Sequence, residues 1–174
     1  MATNIGTGPQ DIPLNQFLGE MAFMDNFFSQ GEYEPTLTTG GGEFASVTYQ
    51  ADNGGYWHRI GDLCFVTGCM RVDAVNLSGP ATTQAVCISL PFPTAARTNG
   101  DNADNIGTCR TVIWGGTAGK VPTILGIASS STPGRANLFA TGYDTAAQTV
   151  QVQHFGTGAT MIQFSIWYRV AGGS

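Results

Sequence analysis

Side chains that could carry catalysis are few and scattered along this chain. The two histidines, His58 and His154, lie in runs of strand-forming residues, and no G-x-S-x-G pattern supplies a nucleophile for either of them. Glycoside cleavage needs two carboxyl groups, and the acids stand near predicted strand ends or turns without a spacing that singles out a pair. These acids are Glu32, Glu34, Glu43, Asp52, Asp62, Asp73 and Asp144. We therefore predict no catalytic residues and a protein that is not an enzyme.

No stretch of the sequence has the residue spacing that metal or phosphate binding requires. The four cysteines form no C-x-x-C pair, and Cys64 and Cys69 lie five residues apart in one predicted strand, which points them to opposite faces. "GGTAGK" over residues 115–120 lacks two positions of a phosphate-binding loop and is typical of a turn. "NGDNADN" over residues 99–105 offers oxygen ligands without the spacing of a calcium loop. We expect free cysteines that fill the core, no metal and no cofactor.

Aromatic side chains are the best candidates for a binding surface. Sugar rings stack on aromatic faces, while Asn, Asp and Gln side chains form hydrogen bonds with sugar hydroxyls. Each ring has an alternative role in the core or in a subunit interface. Trp167, on the polar face of the last predicted strand, indicates burial against a partner chain. By residue type we predict glycan binding at Tyr56, Trp57, Trp114 and Tyr143.

The charge composition argues against several classes of partner. Only 11% of the 174 residues are charged, the net charge is -5, and Lys120 is the single lysine. Because phosphate binding needs several cations on one face, we expect no nucleic-acid partner. No run approaches the ~20 apolar residues of a membrane span, and the first ten residues lack the cations of a signal peptide. We expect no membrane partner, and a protein made in a cytoplasm and kept there or released by lysis.

The elements that must position these residues show the periodicity of β-strands. From Tyr33 onward, about ten short runs rich in Val, Ile, Thr, Tyr and Phe alternate with Gly- and Asn-rich turn clusters. In the last run, residues 161–170, every second residue is apolar, which is typical of a half-buried antiparallel strand. We predict an all-β domain over residues 31–174, an antiparallel β-sandwich or jelly roll.

The N-terminal segment, residues 1–30, has a different pattern. Its apolar side chains fall mainly at i, i+3, i+4 and i+7, the spacing of one helical face, so we predict an extended or briefly helical segment. Apolar area exposed to water costs roughly 25 cal/mol per Å², so these side chains should be buried against a partner protein or sister subunits. The predicted interface residues are Leu14, Phe17, Leu18, Met21 and Phe23.

Two stretches resemble bacteriophage tail-fibre and other virion appendage proteins. "GPQDIPLNQFLGEMAFMDN", residues 8–26, is similar to a virion-attachment segment with the pattern D-[IV]-P-L-N-[QG]-[YFM]-L-G-x-[ML]-A-[FY]-x-D. Residues 31–70 are similar to a β module found at the C-terminal ends of tail fibres. The residues that match this module are Gly31, Tyr33, Pro35, Leu37, Tyr49, Arg59, Ile60, Gly61, Asp62 and Gly68.

The resemblance implies a virion structural protein that forms a homotrimer and is assembled in the host cytoplasm. Its N-terminal segment would dock on another virion protein, and its β head would face the host and contact surface glycan. The first matched stretch ends at Asn26 and the second begins at Gly31, so the protein would lie near the particle surface as a short tail fibre or baseplate-associated appendage. One alternative is a capsid decoration or head-fibre protein that binds no receptor. Another is a glycan-cleaving depolymerase, supported only by the acids.

Overall fold

The protein is built almost entirely of antiparallel β-strands. The computed structural model describes residues 28–95, 106–127, 134–141 and 146–171, and these contain eleven strands and one short 3-10 turn, Val152–His154. The strands are β1 (Phe28–Tyr33), β2 (Leu37–Thr39), β3 (Ser46–Tyr49), β4 (Gly54–Ile60), β5 (Leu63–Asn76), β6 (Val86–Ser89), β7 (Ile106–Ile113), β8 (Pro122–Ile127), β9 (Arg135–Ala140), β10 (Gln148–Thr149) and β11 (Thr160–Arg169). The prediction of an all-β antiparallel fold is confirmed.

Most of the N-terminal segment lies outside the described residues. The predicted interface side chains all precede Phe28, so their burial stays a prediction, as does the boundary between residues 30 and 31. The predicted side chains that fall there are Leu14, Phe17, Leu18, Met21 and Phe23.

The strands form one sheet that curls back on itself. Its order is β1-β4-β5-β11-β7-β8-β9-β6-β2, with β3 beside β5 and β10 beside β9. β1 and β2 stand at opposite ends of this order, yet only residues 34–36 join them. Because that link reaches at most about 14 Å, the two ends of the sheet must come close together. The hydroxyl of Tyr49 on β3 fastens this closure by accepting the backbone N–H of Leu37 on β2 at 2.7 Å.

The centre of the sheet is the long pair of β5 and β11. The pair runs in register from Thr160 opposite Val72 to Arg169 opposite Leu63. Alternate side chains of each strand point into the space enclosed by the curl, as the period-two pattern predicted. The fully buried apolar members from these two strands are Cys64, Val66, Met70, Val72, Ile162, Ile166 and Tyr168.

A tight turn at Gly61 and Asp62 joins β4 to β5. Gly61 has a φ of 59°, the left-handed region that glycine adopts without steric cost. The turn sets Ile60 directly opposite Leu63 and carries that pairing along the whole of β4. Arg59 Nε donates to the Gly61 carbonyl at 2.6 Å, which holds the turn from the strand side.

Two stretches differ from the elements predicted from the sequence. β1 begins at Phe28, ahead of the first predicted strand at Tyr33. Residues 149–155, predicted as a strand, form the end of β10 followed by the 3-10 turn. Val152 and Phe155 are three residues apart and both buried, an arrangement that a helical turn allows and a flat strand does not.

All four cysteines are free; Cys64 and Cys87 are buried, as predicted for core residues, and Cys69 and Cys109 are partly accessible. Cys64 is fully buried, whereas Cys69 lies on the other face of β5 and is partly accessible, so the prediction of opposite faces is confirmed. Burial raises the pKa of Cys87 and of Cys109 to about 12. Across the described part of the chain, no helix has both the length and the apolar character needed to cross a membrane.

Candidate functional site

An open cleft of about 490 Å³ lies where β1 runs out toward β2 and where β4 begins. Glu32 on β1 stands directly opposite Tyr56 on β4, so the two side chains leave the sheet side by side. The turn before β4 contributes Asp52 and Asn53. The residues lining the cleft are Glu32, Tyr33, Glu34, Asp52, Asn53, Gly54, Gly55 and Tyr56.

The wall of the cleft is fixed by Asn53. Its side-chain nitrogen donates to the Pro35 carbonyl at 3.0 Å, and its side-chain oxygen accepts the backbone N–H of Arg71 at 3.1 Å. The guanidinium of Arg71 also forms an ion pair with Asp52. Asn53 thus ties the β1–β2 link to β5, and the ion pair with Arg71 holds the carboxylate of Asp52 in place.

A glycine brings β1 and β4 close together at the inner side of the cleft. A Cβ atom on Gly55 would lie 2.6 Å from the ring of Tyr33 and 2.8 Å from the backbone oxygen of Thr67. Only glycine fits between these groups, and the Tyr33 ring covers it from the interior. The close approach leaves Tyr56, the next residue, pointing outward.

Tyr56 gives the cleft an aromatic surface beside acidic side chains. It is 59% exposed, the most exposed of the large hydrophobic side chains described. The side chain of Asp52 is 58% exposed, and Glu32 and Glu34 are exposed as well. An accessible ring next to carboxylate oxygens can stack on a sugar ring and accept hydrogen bonds from its hydroxyls.

The other predicted aromatic residues occupy different places. Trp57 packs edge-on against Phe92 with ring centroids 4.7 Å apart, on the face of β4 opposite to Tyr56. Trp114 packs edge-on against Phe155 at 5.1 Å, and its indole N–H donates to the Thr117 carbonyl at 3.0 Å. Tyr143 lies outside the described residues. Of the three that the structure describes, only Tyr56 lines the cleft, and glycan binding by any of the four stays a prediction.

Three of the seven acids considered from the sequence meet at the cleft, namely Glu32, Glu34 and Asp52. The grouping was missed because it depends on the pairing of β1 with β4, which joins residues more than twenty positions apart. A sequence signal was present in "EYE", residues 32–34, where two acids flank a tyrosine in a period-two pattern.

The remaining described acids are engaged elsewhere. Glu43 pairs with Arg135 at 2.9 Å, Asp62 pairs with Arg169 at 2.7 Å, and Asp73 accepts from Gln50 at 3.3 Å. Asp144 lies outside the described residues.

The histidines do not join the cleft. His58 lies on the outer face of β4, one step of the pleat beyond Tyr56. His154 Nδ1 accepts the backbone N–H of Gln151 at 3.2 Å, which closes the 3-10 turn. Within the described ranges, no group of three or more His, Cys, Asp or Glu side chains is arranged to hold a metal ion.

The curled antiparallel sheet places the chain in the class of all-β domains. No protein-family model matches its sequence, and no curated protein matches it either. Among solved structures, the chain is similar to the Dettilon tailspike protein, with a TM-score of 0.52 and 11% sequence identity. The similarity covers 82% of this chain and 24% of the tailspike chain, so the protein spans about a quarter of that protein's length. At this identity the likeness concerns the fold.

Proposed function

We propose that this protein is a structural component of a bacteriophage virion, located in a tail appendage, whose β head takes part in attachment to the host surface. The observation that carries the proposal is the similarity of 82% of the chain to part of a tailspike protein. The sequence resemblance over residues 8–26 and 31–70 supports it independently, because sequence motifs and backbone geometry are separate kinds of evidence.

The cleft beside Tyr56 is the proposed contact with host glycan. Its ring offers an apolar face to a sugar, and Glu32 and Asp52 offer oxygen acceptors in the same cleft. The Asn53 hydrogen bonds hold the cleft in shape before any ligand arrives, so the protein loses little conformational entropy when it binds.

Binding of the purified full chain to the surface polysaccharide of the host bacterium tests this site. We expect Tyr56→Ala to weaken binding by about tenfold, since loss of the stacked ring costs about 1.4 kcal/mol. Tyr56→Phe keeps the ring and is the matched control, so its affinity should stay within a few-fold of the natural chain. Failure of the natural chain to bind, or equal binding by Tyr56→Ala, would overturn the proposed site.

A glycan-cleaving depolymerase is a second candidate, favoured by the meeting of Glu32, Glu34 and Asp52 at one cleft. Glycoside hydrolysis uses one carboxylic acid to protonate the leaving oxygen and one carboxylate as base or nucleophile. If this candidate is right, the protein releases reducing ends from host polysaccharide, and Glu32→Gln or Asp52→Asn abolishes the release. Binding without release of reducing ends leaves attachment as the function.

Adsorption assays separate attachment from capsid decoration. Purified protein that competes with phage adsorption supports attachment, whereas unchanged adsorption together with weakened capsids after loss of the protein supports decoration.

We also propose that the protein is a homotrimer anchored to another virion protein through its N-terminal segment. Multi-angle light scattering should then report about three chains per particle, and a clean monomer would contradict the trimer.

A further inference from the structure

An exposed apolar patch lies on the outer face of the sheet, at the far end of β4 from the cleft. Ile60 stands opposite Leu63, and Phe65 stands opposite Trp167, so the residues form two adjacent cross-strand rows over β4, β5 and β11. Trp167 is 50% exposed, Ile60 46% and Leu63 37%. We call Ile60, Leu63, Phe65 and Trp167 the outer patch.

Trp167 and Phe65 form the aromatic centre of the outer patch. Their ring centroids are 4.5 Å apart with planes tilted by 38°, so each ring restricts the other. The neighbours of Trp167 in β11, Ile166 and Tyr168, are fully buried and belong to the core. Trp167 points the opposite way, and half of its surface stays in water although the core is complete without it.

The outer patch has the composition of an interface core. Such cores are enriched in aromatic residues and depleted of charge, and Trp is the residue most often found to dominate binding energy. A standard interface buries about 800 Å² per partner, of which a little over half is apolar. With its half-exposed Trp and its aliphatic neighbours, the outer patch offers apolar area on the order of 300 Å², a large part of that requirement.

The rim of the outer patch carries both signs of charge. Arg169, opposite Leu63 on β11, is 66% exposed, and it pairs with Asp62, which is 43% exposed, at 2.7 Å. A partner bearing a single sign of charge would meet one attractive and one repulsive group here. A second copy of the same chain brings both groups again, so Arg169 of one copy can face Asp62 of the next.

We infer that the outer patch is the surface through which copies of this chain pack against one another. The inference rests on the assembly of several copies proposed above and adds the surface that mediates it. On β4 the outer patch is represented by Ile60, four residues and roughly 13 Å from Tyr56 at the rise of a strand, while Phe65 stands opposite His58, two residues from Tyr56.

The test measures the mass of the full chain by light scattering over a range of concentrations. We expect the natural chain to form particles of more than one copy, and Trp167→Glu to raise the dissociation constant at least about 30-fold and yield monomers. Val112→Glu is the matched control, because Val112 is 46% exposed on β7, toward the opposite end of β11, and should leave the assembly unchanged.

The possible outcomes show whether the proposed surface is wrong or the proposed assembly itself is wrong. Multi-copy particles that persist in both Trp167→Glu and Ile60→Glu would overturn the outer patch while leaving the assembly intact. A natural chain that stays monomeric at all concentrations would overturn both. If the Glu variants fail to fold, Arg169→Asp should weaken the assembly and Asp62→Arg combined with Arg169→Asp should restore it. An assembly unaffected by these two charge variants would equally count against the outer patch.

Discussion

The two faces of β11 have the same backbone and opposite surroundings. On the inner face Ile162, Ile166 and Tyr168 are fully buried, while on the outer face Trp167 is half exposed and Arg169 reaches solvent. The inner side chains are fixed by packing against the curled sheet, so they determine the fold. The outer side chains are not needed for that packing, and both proposed contact surfaces, the cleft and the outer patch, lie on this outer side of the sheet.

Removing bulk from the inner face should have the largest effect. We expect Ile166→Ala to lower the free energy of unfolding by about 2–5 kcal/mol, because it leaves a cavity where the side chain was fully buried. Ser165→Ala, one residue earlier and on the outer face, should change it by less than about 0.5 kcal/mol. Urea unfolding of the two variants compares the faces directly, and equal effects would break the distinction.

Hydroxyl groups of the inner face should differ according to their partners. The Tyr168 hydroxyl accepts the backbone N–H of Phe92 at 3.2 Å, so Tyr168→Phe should cost about 1–3 kcal/mol. The buried Tyr33 hydroxyl has no hydrogen-bond partner among the described residues, so Tyr33→Phe should be neutral or stabilising. Thermal or urea unfolding measures both, and a Tyr33→Phe variant destabilised as much as Tyr168→Phe would contradict this account.

Alkaline pH should weaken the fold through its buried thiols. Burial raises the pKa of Cys87 from 9.0 to about 12, so between these values the unfolded chain loses this proton and the folded chain keeps it. Stability is therefore retained below pH 9 and falls as pH rises, by up to about 1.4 kcal/mol per pH unit for this thiol. Unfolding curves between pH 8 and 11 should show a shallower loss in Cys87→Ala. An unchanged slope would show that the thiol ionises alike in both states.

Substitution on the outer face should have the smallest effect on stability. Because Tyr56 is 59% exposed, Tyr56→Ala should change the free energy of unfolding by less than about 0.5 kcal/mol. The same variant is expected to lose glycan binding, so function and stability would separate at this residue. A large loss of stability would mean that Tyr56 contributes to the fold, and the outer face would then not be independent of the inner one.

The sequence predicted the inner face better than the outer one. Period-two alternation over residues 161–170 predicted which side chains of β11 are buried, because burial on one face imposes that pattern on the residue types. The hairpin turn at Gly61 follows equally local rules. The 3-10 turn after β10 was missed because Val150 and Val152 favour strands by propensity, and only tertiary packing of Val152 with the core overrides this.

The cleft could not be predicted from the sequence, for a different reason. Tyr56 and Trp57 are adjacent aromatic residues, and residue type alone does not say which faces inward. Trp57 turns inward because Gly31 leaves space over its indole, where a Cβ would come within 2.7 Å, and because Phe92 packs against its edge. Those neighbours come from β1 and from the segment after β6, so the answer depends on long-range pairing that no local pattern contains.

The location of the protein on intact virions tests the central proposal most directly. Gold-labelled antibodies raised against the purified β head can be imaged by electron microscopy on phage particles. A tail-appendage protein with an outward face for the host predicts label concentrated at the tail or baseplate, on the side away from the capsid. Label spread over the capsid, or none on the particle, would contradict the proposed function.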